Sequence, residues 1–81
     1  MTYEQIQTLI STFPADQFFT LRYDNKTYFG YFKPHKADDE VKRNLWQFEI
    51  SYPSGNKREE TFKGDRITEI EKAYPETAFK K

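Results

Sequence analysis

The chain has 81 residues, 13 basic and 13 acidic side chains, no cysteine, and an aromatic content of 19%. Zero net charge argues against a partner held chiefly through its phosphates, which selects for a basic excess, and the lack of cysteine excludes disulfides, thiolate catalysis and cysteine zinc sites. A chain this short folds as one domain, here expected over residues 1–74, with a small core that uses nearly every large apolar side chain it has.

Thr2 and Gln5 have the spacing of a helix capping box, and Ile6, Leu9, Ile10 and Phe13 follow on one helical face. Pro14 disfavours helical geometry at Phe13, so a helix over 3–12 is expected, its apolar stripe covering one side of a sheet. No apolar run approaches the length of a membrane-spanning helix, and the N-terminal residues lack a signal-peptide pattern. A cytoplasmic protein without a membrane partner is therefore the default expectation.

Phe18 to Phe32 reads as a β-hairpin, with strands at about 18–24 and 27–33. A two-residue loop Asn25-Lys26 would set Phe19 against Phe32, Tyr23 against Tyr28 and Leu21 against Gly30. These six residues share a face, and Gly30 marks a place where the sheet bends or another backbone approaches. Lys33 to Arg43 is charged and reads as a solvated loop. His35 with Asp38 and Asp39 has the spacing of a metal pair, but no further histidine supports one, so His35 is read as a solvated side chain.

Residues 45–52 alternate, with Trp46, Phe48, Ile50 and Tyr52 on one face, and residues 57–62 return as a polar edge strand. A three-residue loop Ser54-Gly55-Asn56, with Gly55 or Asn56 left-handed, would place Phe62 opposite Phe48 and Glu60 opposite Ile50. Residues 66–73 admit two readings: a short helix capped by Asp65, or a tight turn at Gly64-Asp65 followed by a strand with Ile70 inward. Residues 75–81 have no pattern and read as a mobile tail.

Three motifs then bear on family. Tyr28-Phe29-Gly30-Tyr31-Phe32 resembles the glycine-containing second strand of Sm-like proteins, and Arg43-Asn44-Leu45 resembles the Asn that opens their third strand. Phe62-Lys63-Gly64-Asp65-Arg66-Ile67 resembles the apolar-basic-Gly-acidic run entering their last strand. The resemblance covers residues 18 to 71. It implies a mainly β fold with an N-terminal helix: a small SH3-like or Sm-like barrel, or a strongly bent antiparallel sheet of four to five strands. It also implies that Asn44 and Lys63 line a pore for single-stranded RNA. The sequence departs from the pattern in the long segment between Gly30 and Asn44, and in Arg43, which stands where a stacking residue is expected. The acidic residue of the first motif is Asp38, Asp39 or Glu40, with no basis for choosing.

Catalysis is not expected. Ser or Thr nucleophiles need a base and the chain has one His, Glu59 and Glu60 point to opposite faces of a strand, and no glycine-rich phosphate loop is present. No cofactor, metal or small-molecule substrate is expected either. The expectation is a non-catalytic protein-interaction or self-assembling module, a homo-oligomer, using Phe18, Phe29 and Tyr31 on the second hairpin face. The alternative is RNA binding through Asn44, Lys63, Arg66 and a stacking Tyr31.

Overall fold

The computed structural model describes residues 1–78. Helix α1 spans Tyr3–Ser11 and opens with the expected capping box: the Gln5 N–H donates to Thr2 Oγ1 at 3.2 Å, and the Thr2 N–H to Gln5 Oε1 at 2.9 Å. Thr12 caps its far end. Ile6 is wholly buried, and Leu9, Ile10 and Phe13 pack beside it against the core. No helix is long and apolar enough to cross a membrane.

Five antiparallel strands form one sheet: β1 (Phe19–Tyr23), β2 (Lys26–Lys33), β3 (Leu45–Ser51), β4 (Lys57–Lys63) and β5 (Ile67–Lys72), in the order β4-β3-β2-β1-β5. β4 and β5 occupy opposite edges, yet only the 3-10 turn Gly64–Arg66 joins them. Four strand gaps would separate the edges of a flat sheet by roughly 19 Å, whereas the steps from Lys63 to Ile67 reach about 14 Å when fully extended. The sheet must therefore curl, and at this corner the Lys63 N–H reaches the Tyr23 hydroxyl at 3.2 Å. It does not close into a barrel, since no pairing joins β4 to β5 among the described residues.

The concave face holds the core: Phe19, Leu21, Trp46, Phe48, Ile50, Phe62, Ile67 and Ile70, with Ile6 above them. Large rings fill it edge to face, as in Phe32 against Phe48 at 5.1 Å and Phe13 against Phe19 at 5.4 Å. Tyr23 stacks on Phe62 at 4.4 Å and closes the corner.

Both hairpins differ from expectation by two residues in register while keeping the paired strand residues on their expected faces; Tyr52, expected to continue the Trp46 face, lies beyond β3 and lines a cleft with Phe18 and Tyr31. In the first, Phe19 lies opposite Gly30, Leu21 opposite Tyr28 and Tyr23 opposite Lys26. The loop is Asp24-Asn25, whose φ angles of 49° and 65° give the double left-handed turn that fits strand twist. In the second, Phe62 lies opposite Trp46 and Glu60 opposite Phe48. Tyr52 and Asn56 are tied by a hydrogen bond of 3.0 Å, so the loop is Pro53-Ser54-Gly55, with Gly55 at φ 91°. Of the two readings for the last segment, the turn and strand form: β5 pairs with β1.

The charged loop is not merely solvated. Asp38–Lys42 form a short helix, α2, because the Glu40 carboxylate bonds the N–H groups of Lys36 and Ala37 at 2.5 and 3.4 Å and so caps the turn that contains it. His35 is packed rather than solvated, its ring 4.8 Å from Trp46 and 5.9 Å from Tyr3. In the segment read as a tail, Pro75–Ala78 form a one-turn helix, α3, and residues 79–81 lie outside the described residues.

Candidate interaction surface

Asn44 stands at the junction of α2 and β3 with a left-handed φ of 55°. Its side-chain Nδ2 donates to the Met1 carbonyl at 2.9 Å, its Oδ1 accepts from the Trp46 indole N–H at 2.8 Å, and its backbone carbonyl accepts from the Gly64 N–H at 2.7 Å. The Met1 ammonium donates in turn to the Gly64 and Ile67 carbonyls at 2.8 and 2.9 Å. This network ties the start of α1, the start of β3 and the turn before β5 into one knot. Gly64 is the residue that fits, since a β-carbon there would collide with the Asn44 amide.

Of the four residues read as RNA-binding, three gather here and one does not. Lys63 precedes Gly64 and is exposed, and Arg66 ends the same turn, paired with Asp24 at 3.3 Å on the surface. Tyr31 lies on the convex face, opposite Glu49 of β3 and against Phe18. The open cleft beside Asn44, about 820 Å³, is lined by Met1 and Lys42 as well as Glu4 and Asp65, a balance of charge that gives phosphate no basic excess to bind.

The three residues read as an interaction surface do come together. Phe18 is 3% exposed, stacks parallel to Phe29 at 6.4 Å and takes the edge of Tyr31 at 5.2 Å. Its carbonyl accepts from the Ala73 N–H at 3.0 Å and from Gln17 Nε2 at 2.9 Å. Phe18 is thus an anchor under the surface, and Tyr31 presents the cluster to solvent.

Two clefts meet at Tyr31 and Lys57. One, about 480 Å³, runs past Lys33, Pro34, Asp16 and Glu49. The other, about 270 Å³, runs past Tyr52, Pro53, Asn56 and Pro75. Glu49, beside the cross-strand Glu59, is balanced by Lys33 at 3.3 Å and Lys57 at 3.7 Å, while Glu59 takes Lys36 at 3.3 Å. These pairs offset the repulsion of two carboxylates set directly across strands. The two clefts thus share an aromatic and a cation, Tyr31 and Lys57, with Pro34 in one and Pro53 and Pro75 in the other.

Sequence reasoning missed the relay that seats α2 on this face. Glu40 Oε2 accepts from Gln47 Nε2 at 2.5 Å, Gln47 Oε1 accepts from the Thr61 hydroxyl at 3.1 Å, and Gln47 is 3% exposed. The available signal was Glu40 three residues after Ala37, the position from which a glutamate caps its own helix. Among the described residues, no group of three or more His, Asp and Glu side chains could hold a metal ion. Comparisons with protein-family models, with curated proteins and with solved structures find no match.

Proposed function

We propose that this chain is a non-catalytic protein-interaction module that takes an extended segment of a partner along its convex face, across Tyr31. The observation that carries this reading is the pair of clefts that flank Tyr31 and Lys57 and share both residues in their walls. Tyr is well suited to such a place because it gives large contact area at low entropic cost and can hydrogen bond at its tip. Tyr52, 37% exposed at one end, extends the aromatic surface. A cytoplasmic setting belongs to this proposal and rests on the sequence features given above.

The test is selection of peptides from a displayed library, followed by NMR titration of the binders. Shifts centred on Tyr31, Lys57 and Tyr52 are expected, and Tyr31→Ala should weaken binding roughly tenfold or more. A library that yields no binder, or shifts centred on Asn44 and Lys63, overturns the reading.

Self-association is favoured by a separate observation, the open sheet. The outer edges of β4 and β5 carry no further strand among the described residues. Homo-oligomers can form by joining such edges, and sedimentation across micromolar concentrations reads this directly. Single-stranded RNA binding, and with it membership of the Sm-like or SH3-like small barrels, is supported by the element order and by the closeness of Asn44 and Lys63. Titrating labelled oligo-U and oligo-A at two salt concentrations tests it.

A further inference from the structure

We propose that residues 34–42 form a strap that opens as a unit while the sheet stays folded, with the Glu40 carboxylate as its latch. Helix α2 buries none of its residues, and its one large apolar side chain, Val41, is 36% exposed. Apolar burial therefore does little to hold this segment, unlike every strand beneath it. Its attachment to the convex face is polar and centres on one side chain, with the Lys36–Glu59 ion pair beside it. Glu40 Oε1 binds the strap's own Lys36 and Ala37 N–H groups, while Oε2 binds Gln47 of β3, which is tied onward to Thr61 of β4. The carboxylate thus shapes the turn and fastens it to the sheet at once.

The other ties are weaker. The Lys36–Glu59 ion pair, at 3.3 Å, is exposed on both sides, and such pairs contribute little in water. The Arg43–Asp39 pair lies within the segment and does not reach the sheet. On the other flank, the His35 ring rests on Trp46 with its Nε2 buried and without a hydrogen-bond partner among the described residues. Once open, the strap uncovers the Gln47 amide and the His35 side of the Trp46 indole, surfaces that are closed in the resting fold.

Hydrogen exchange measured by NMR tests this on the intact chain. The amides of Lys36, Ala37 and Glu40 should exchange together, roughly a hundredfold or more faster than those of Leu21 and Phe48. Glu40→Gln should speed the strap about tenfold and leave the sheet unchanged. Gln47→Leu, which cuts the latch from the sheet side and leaves the helix sequence intact, should do the same. The proposal is overturned if strap and sheet exchange at one rate, if both variants accelerate strap and sheet equally, or if Glu40→Gln acts and Gln47→Leu does not.

Discussion

The backbone of Glu49 lies against Gly30 so closely that a β-carbon on Gly30 would collide with the Glu49 carbonyl oxygen, and would sit 2.9 Å from the carbonyl carbon and 3.1 Å from a ring carbon of Phe48. Gly30 pairs with Ile50 in β3 and with Phe19 in β1, so the close approach falls in the middle of the curled sheet. Gly30→Ala is expected to destabilise by about 3 kcal/mol, the upper end of ordinary overpacking, because the obstructing atoms are backbone and cannot rotate away. Chemical denaturation measures it, and an unchanged midpoint would show that β2 and β3 can separate locally without loss.

The hairpin turn offers a gain instead. Asn25 holds φ 65° after Asp24 at 49°. Asn25→Gly should stabilise by about 0.5 kcal/mol and raise the melting temperature by about 2–4 °C, since glycine occupies that region without steric cost. Asn25→Val should lose about 1–2 kcal/mol at the same position. A scan in which both variants lower the melting temperature equally would place the turn elsewhere.

That turn also shows what was legible in the sequence. Alternation assigned each strand residue to a face, because a shift by two preserves parity, and for that reason the Phe18–Phe29–Tyr31 cluster was readable, whereas which hairpin face forms the core was not. Parity does not set register. An Asn25-Lys26 loop would set ring against ring across the hairpin, but it asks Lys26 for a positive φ, whereas Asp and Asn both tolerate it. Backbone preference won over ring pairing. His35 and Glu40 were less readable, because their packing depends on where Trp46 and Gln47 lie in space, which local charge density does not encode. Asn44 was picked out by motif, and its internal hydrogen bonds became visible only once Met1 and Gly64 were placed beside it.

Glu40 sets the acid response of the strap. Its carboxyl is held below the usual carboxylate range, first by the Lys36 N–H, then by the Gln47 amide, the Ala37 N–H and the charge of His35, while partial burial works the other way. The other charged groups of the strap are His35, Lys36, Asp38, Asp39 and Lys42, with Arg43 just beyond it paired to Asp39; on the sheet Glu59 of β4 pairs with Lys36, and Gln47 and Thr61 are neutral. A group with a lowered folded pKa contributes stability above its unfolded value and loses it as pH falls through the folded one. Strap opening, corrected for intrinsic exchange rates, should therefore rise as pH drops below the ordinary carboxylate range. In Glu40→Gln that rise should flatten, and an identical profile in both proteins would place the acid-sensitive group elsewhere.

Asn44 is expected to matter for stability before it matters for any ligand. Replacing it with alanine removes the partners of the Met1 carbonyl and of the Trp46 indole N–H, and leaves a β-carbon at φ 55° without a side-chain amide to favour it. Together these should cost about 2–4 kcal/mol, since Trp46 is 2% exposed and its N–H would be left buried and unsatisfied. Asn44→Gly loses the same two bonds but relieves the backbone, so it should be more stable than Asn44→Ala by about 1 kcal/mol. Lys63→Ala, one residue before Gly64 but with its side chain exposed, should leave stability within about 0.5 kcal/mol of the parent chain. Measured without nucleic acid, these three variants separate the knot at Met1, Asn44 and Gly64 from a base-reading role: a purely ligand-directed Asn44 would leave all three melting with the parent.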